Sequence, residues 1–150
     1  MAAWAGSAPT TGAVPAIDGI LETALYVDDL PRASAFYEEV LGLKRLFGDE
    51  RLVALDSGRR GVLLLFRRGT TLETVHLPGG TIPPHDGHGS LHIAFAVAAD
   101  DLPRFEARLA AAYIAVEGRT RWPRGGESIY FRDSDGHLLE LATPGLWAIR

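Results

Sequence analysis

Asp28-Asp-Leu-Pro-Arg32 returns unchanged as Asp100-Asp-Leu-Pro-Arg104, 72 residues later, and this repeat decides the fold. Glu22-Thr-Ala-Leu-Tyr-Val27 leads into the first copy and His92-Ile-Ala-Phe-Ala-Val97 into the second. The two align at an offset of 70 once Ala98 and Ala99 are counted as an insertion. Both stretches are short, apolar and alternating, which predicts strands. After each copy the apolar residues take helical spacing: Leu30, Ala33, Phe36, Tyr37, Val40 and Leu41 in the first half, Leu102, Phe105, Leu109 and Ala112 in the second. Asp29 and Asp101 stand at the expected N-caps, each followed by a first-turn proline whose missing N–H costs nothing. Gly42 is the expected stop of the first helix.

Three short strands are expected after each helix, over about residues 44–48, 51–56 and 62–67, then 114–117, 127–132 and 137–142. The closing strands align as well, Gly61-Val-Leu-Leu-Leu65-Phe66 with Gly136-His-Leu-Leu-Glu140-Leu141, at an offset of 75. The chain therefore reads as α+β, with two tandem βαβββ modules (about 19–68 and 90–146) forming a curved, half-closed eight-stranded sheet around a cleft. A long loop, 69–89, joins the modules within a single domain, 19–146. Residues 1–18, broken by Gly6, Pro9, Gly12 and Pro15, are expected to be a disordered tail.

Composition narrows the chemistry. With 150 residues, 47% of them hydrophobic, the chain can bury a core without staples. The absence of cysteine excludes disulfides, thiolate zinc sites, iron–sulfur clusters and a cysteine nucleophile, so any metal must be held by nitrogen and oxygen. A net charge of −4 argues against nucleic acid as a partner. The longest apolar runs fall short of a membrane span, and no charged, apolar leader precedes the domain, so a soluble, cytoplasmic protein is expected.

Strand alternation selects the candidate site. Leu21, Thr23, Leu25 and Val27 share one face and Glu22, Ala24 and Tyr26 the other; Ile93, Phe95 and Val97 oppose His92, Ala94 and Ala96. The bulky face should cover the helices. Glu22 and His92 then fall at equivalent open positions, each followed two residues on by alanine, which leaves room. Glu140 alternates away from Leu139 and Leu141, with Leu65 as its aligned counterpart. One histidine and two carboxylates without a thiolate suit a divalent ion such as Mn, Fe, Co, Ni or Zn. Tyr130, alternating with Ser128 and Arg132, is a candidate hydrogen-bond donor to substrate. Arg119, Arg121 and Arg124 around Trp122 are candidates for holding an anion. His85 and His88 are candidate closing residues from the long loop, while His137, Asp133 and Asp135 read as structural or turn residues.

These residues resemble the vicinal oxygen chelate superfamily, which includes glyoxalase I, methylmalonyl-CoA epimerase, extradiol dioxygenases, fosfomycin-resistance transferases and bleomycin-binding proteins. The resemblance rests on Val27-Asp28-Asp29-Leu30 with Ala35-Phe36-Tyr37 and Leu41-Gly42-Leu43, on Leu91-His92-Ile93-Ala94-Phe95, and on the run from Tyr130 to Leu141. It implies that His92 and Glu140 are metal ligands and that Glu22 occupies the first-strand ligand position. That position is usually His or Gln in the family, and the fourth, acidic in glyoxalases, is leucine here. The expected function is a metal-dependent lyase or isomerase that chelates a small oxygenated metabolite and stabilises an enolate or oxyanion, with Glu22 or Glu140 moving the proton. The alternatives are an Fe(II)-dependent dioxygenase and a metal-free drug-binding protein. Family members are often homodimers, and the resemblance allows Glu22 to serve the site of a partner chain.

Overall fold

The structure, a computed structural model, describes residues 3–7 and 12–149. The tail expected over residues 1–18 falls in part on residues 1, 2 and 8–11, which lie outside the described residues.

The first module runs β1 (Glu22–Val27), α1 (Leu30–Ala35), β2 (Lys44–Gly48), β3 (Leu52–Gly58) and β4 (Gly61–Arg67). A short hairpin, β5 (Val75–Leu77) and β6 (Gly80–Ile82), follows. The second module runs β7 (His92–Ala96), α2 (Leu102–Ala111), β8 (Gly118–Arg121), β9 (Glu127–Arg132) and β10 (Leu138–Ala142). Each module forms its own four-stranded sheet, in the orders β1-β4-β3-β2 and β7-β10-β9-β8, with the first strand parallel to the last. The tandem βαβββ architecture is as expected, with the eight strands divided between two hydrogen-bonded sheets.

The inner faces of both sheets are claimed by the helices. Leu25, Val27, Val53, Leu55, Leu63 and Leu65 join Ile129, Phe131, Leu139 and Leu141 in one apolar cluster with Leu30, Tyr37, Leu102 and Leu109. Each such side chain stabilises the fold by roughly 1.5–3 kcal/mol of burial. Polar contacts tie the modules together: the Tyr37 hydroxyl donates to Asp133 (2.6 Å), the Asp28 N–H to Asp135 (2.8 Å) and His137 Nε2 to the Tyr26 carbonyl (2.8 Å).

Several local expectations shift. Asp29 caps α1 by accepting the Arg32 N–H, as the sequence predicts. Asp101 caps nothing; the inserted Ala98 and Ala99 let residues 99–101 wind a 3-10 turn, and Asp101 instead pairs with Arg104. The helical pattern after Ala35 widens into a π turn, Phe36–Val40, and Gly42, at φ +74°, ends it. The strand expected at 114–117 lies at Gly118–Arg121, because residues 114–117 are used in leaving α2 and reaching the sheet edge opposite Tyr130. The loop 69–89 is not wholly irregular: Val75-His-Leu and Gly80-Thr-Ile pair across Pro78-Gly79.

Candidate metal centre

Register fixes what shares the open face of the second sheet. Ala94 pairs with Glu140, Glu140 with Tyr130, and Tyr130 with Gly118. His92, Glu140, Tyr130 and Ser128 therefore stand together, while Ile93, Phe95, Leu139 and Leu141 point to the core. In the first sheet Glu22 pairs with Val62, and Ala24 with Leu64. Ala24 is the repeat equivalent of Ala94, so Leu64, not Leu65, is the counterpart of Glu140. Leu65 is fully buried in the core. A one-residue slip in aligning strands exchanges the faces, and the true offset is 76.

Glu140 is 5% exposed, and its two oxygens have different partners. Oε1 accepts from Ser128 Oγ (2.5 Å) and from the Tyr130 hydroxyl (3.2 Å). Oε2 lies 3.2 Å from His92 Nε2. His92 Nδ1 is 2.9 Å from the Leu138 carbonyl, which can only accept, so Nδ1 carries a proton and Nε2 is the atom turned to Glu140. With that ring neutral, two electron-rich atoms face each other. A proton or a metal cation between them satisfies both, and a histidine whose other N–H is anchored to a backbone carbonyl is the usual arrangement of a metal ligand. The donor set fits a divalent ion.

Glu22 is exposed on the open face of the first sheet. Among the described residues no three His, Asp or Glu side chains of one chain come together as a metal cage, so Glu22 does not join His92 and Glu140 within the chain. Tyr130 does stand at the pair, its ring centroid 6.4 Å from that of His92. A surface groove of about 690 Å³, lined by Asp28, Asp29, Arg45, Asp49, Glu50 and Arg67 among others, contains none of these residues.

The other candidates are placed elsewhere. His85, in the loop after β6, packs against the first sheet, its Nδ1 2.6 Å from the Tyr26 hydroxyl and its ring against Phe66. Burial, reinforced by Asp86, pushes the Tyr26 hydroxyl above its ordinary value. His88 is paired with Asp86 at the surface. Arg119 is engaged by Glu127 and Glu106, whose carboxylates raise its pKa, whereas Arg121 and Arg124 are exposed. His137 and Asp133 are buried and structural, as expected: Asp133 accepts the N–H groups of Asp135 and His137. Ser128 and Trp122 had no role assigned from sequence. The alternation around Tyr130 carried the signal for Ser128.

The fold places the chain among paired-βαβββ proteins. It belongs to the Glyoxalase/Bleomycin resistance protein/Dioxygenase superfamily, whose profile matches residues 19–141. It is 33% identical over 126 residues to the metallothiol transferase FosB of Bacillus licheniformis, covering 83% of this chain and 75% of that one. It is 32% identical over 127 residues to the glutathione transferase FosA of Serratia marcescens, covering 83% and 79%. A crystal structure of a lactoylglutathione lyase from Agrobacterium tumefaciens superposes with a TM-score of 0.80 at 35% identity, over 89% of this chain and 98% of that one. These relatives are enzymes, and a divalent metal ion is the cofactor that goes with them.

Proposed function

We propose that the chain is a glyoxalase-like, metal-dependent lyase or isomerase for a small oxygenated metabolite. It works as a homodimer in which Glu22 of one copy completes the site at His92 and Glu140 of the other. The His92–Glu140 pair carries this reading, because its Nε2 and Oε2, 3.2 Å apart, are placed to hold a cation between them. Where the ligands stand supports the dimer: both ligand-bearing faces point away from the shared core.

Each residue has a role in this reading. His92, Glu140 and Glu22 hold the ion, which when bound polarises neighbouring oxygens of the substrate. Tyr130 bonds only weakly to Glu140 and turns its hydroxyl to a substrate oxygen. Glu140, whose Oε1 keeps the Ser128 hydroxyl when Tyr130 turns away, is a fixed ligand. Glu22 has no hydrogen-bond partner for its carboxylate among the described residues, so it is the better proton acceptor once displaced by substrate. Ala94 and Ala96, exposed beside His92, leave room for that substrate. With no cysteine in the chain, any sulfur in the reaction arrives with a substrate.

The relatives named as metallothiol and glutathione transferases favour a second reading, transfer of a thiol, and the 25% identical fosfomycin resistance protein FosX of Listeria innocua supplies fosfomycin as the substrate to try. The test is elemental analysis of untagged protein beside Glu22→Ala and His92→Ala, with two assays: isomerisation of the methylglyoxal–glutathione adduct, and thiol addition to fosfomycin. Near-stoichiometric metal lost in both variants, with turnover in the first assay alone, is expected. Turnover in the second alone moves the chain to the transferase reading. Absence of metal after reconstitution with Mn, Fe, Co, Ni or Zn would end both.

A further inference from the structure

Trp122 reaches the metal centre without being part of it. Its indole N–H donates to Ser128 Oγ at 2.8 Å, and Ser128 Oγ lies 2.5 Å from Glu140 Oε1. The direction of this chain is fixed by chemistry. An indole nitrogen only donates, so Ser128 must accept from it, and the single serine hydrogen is left for the ionised carboxylate, which only accepts. Ser128 is fully buried and cannot exchange these partners for water.

The sequence builds a support for the indole. Trp122-Pro-Arg-Gly-Gly126 folds into a tight turn, with the Trp122 N–H donating to the Gly126 carbonyl and the Gly125 N–H to the Trp122 carbonyl. That turn is pressed against the backbone of residues 144–146. A Cβ on Gly126 would lie 2.8 Å from Gly145 C and Leu146 N, and one on Gly145 would lie 2.6 Å from Gly126 N. Glu127 is bound to Thr143 through both its N–H and its carbonyl. The segment after β10 thus clamps the turn, the turn sets the indole, and the indole sets Ser128.

We infer that Trp122 and Ser128 are positioning residues that hold Glu140 as a one-oxygen metal ligand. By occupying Oε1 they prevent the carboxylate from closing on the ion with both oxygens and keep Oε2 aimed at the space shared with His92. The inference rests on the metal centre proposed above and adds to it the denticity of Glu140, and with it the number of positions left for substrate.

The test uses the full-length protein loaded with Co(II), whose visible absorption reports coordination number. Wild type, Ser128→Ala, Ser128→Thr, Trp122→Phe and His92→Ala are titrated with cobalt, with circular dichroism and melting recorded for each. Expected are a roughly 10–100-fold weaker Kd for Ser128→Ala, with weaker absorption as the carboxylate turns bidentate, and a smaller shift in the same direction for Trp122→Phe. Ser128→Thr, which keeps the hydroxyl, restores both. Trp122→Phe keeps an aromatic ring while removing the N–H, and tests the proposal even if Ser128→Ala fails to fold. Wild-type affinity and spectrum in both Ser128→Ala and Trp122→Phe, with cobalt lost in His92→Ala, overturns the inference and leaves the metal centre standing. Weaker binding with an unchanged spectrum also overturns it. A wild type that takes up no cobalt overturns the metal centre and this inference together.

Discussion

Replacing Tyr37 by phenylalanine removes one oxygen from the seam between the modules. The ring is fully buried, and its edge packs against Phe36 with centroids 5.4 Å apart, which phenylalanine preserves. Lost is the 2.6 Å hydrogen bond from the hydroxyl to Asp133 Oδ2. Asp133 is 7% exposed, and its other oxygen is already taken by two backbone N–H groups, so Oδ2 is left without a partner. A hydrogen bond to a charged group is worth roughly 1.5–3 kcal/mol, and orphaning a buried acceptor puts the loss toward the upper half of that range. At roughly 2–4 °C per kcal/mol for a chain of this size, Tm should fall by about 4–12 °C. The dependence on pH gives a second readout. Burial, then the Asp133 carboxylate, raises the Tyr37 pKa above its ordinary 10.0, so the folded protein retains a proton that the unfolded chain releases. The Tyr37 contribution is therefore complete below about pH 10 and is lost as pH rises beyond it, so the gap between wild type and Tyr37→Phe should narrow in alkali. Thermal melts and urea denaturation at pH 8 and near pH 11, followed by circular dichroism, measure both. A Tm within 1 °C of wild type, or a gap that does not change with pH, would refute the argument that this bond holds the modules together.

Four further outcomes follow from the geometry. Co-expressed Glu22→Ala and His92→Ala chains should regain up to about a quarter of the wild-type metal sites, because half the dimers are mixed and one of their two sites is intact; no recovery in isolated mixed dimers would place Glu22 outside the site. A chelator should lower the Tm of metal-loaded protein, by the equivalent of about 2.7 kcal/mol for metal at 100 times its Kd, and should leave His92→Ala unmoved. Gly87→Ala should cost roughly 1–3 kcal/mol by overpacking, since a Cβ there would lie 2.3 Å from the Tyr26 ring; faster proteolysis within residues 83–89 would report the lifted loop. Asp49 accepts the N–H groups of Arg51 and Leu52 between β2 and β3, which lower its pKa below 3.8, the Leu52 bond first. Asp49→Ala should therefore cost roughly 0.5–1 kcal/mol at neutral pH, a difference that disappears as pH falls through the folded pKa and that acid titration of the two proteins would reveal.

What was legible in the sequence was local and periodic. Glu22-Thr-Ala-Leu-Tyr-Val27 and His92-Ile-Ala-Phe-Ala96 are strands because alternation puts one apolar row on the helices, and the same alternation leaves Glu22 and His92 on the open side. Tyr130 and Glu140 could be placed on one face for the same reason. Offsets between strands were less secure, because no local rule says which residue of Gly61-Val-Leu-Leu-Leu65 faces the core; only pairing with β1 does, and it selects Leu63 and Leu65. The cap at Asp101 failed for a similar reason: the repeat was read through an insertion whose residues had conformations of their own. The partners of Glu140 were the hardest to see. Ser128 lies on its strand in plain register, but Trp122 reaches it only through a turn held by residues 144–146, a contact with no trace in spacing or composition.

The division of the site between two copies, as proposed above, rests on the internal repeat. Each module must spend one sheet face on the common core, and because both do so the ligand-bearing faces look outward. Divergence then made the two faces unequal. The first keeps a single carboxylate, Glu22, beside the hydrocarbon of Val62 and Leu64, while the second keeps His92 and Glu140 with Ser128 and Tyr130 behind them. Two second-sheet faces brought together would offer two histidines and two buried carboxylates around one space, with their charges opposed; two first-sheet faces would offer two carboxylates on a largely apolar floor. Only a first face against a second face combines one histidine, two carboxylates and room beside Ala94 for a substrate. That pairing is heterologous at the level of modules, and a two-fold axis makes it closed at the level of chains, because each copy gives its first face and receives the other's. In the dimer proposed above, the inequality of the repeats would set both the composition of the centre and the symmetry of the assembly.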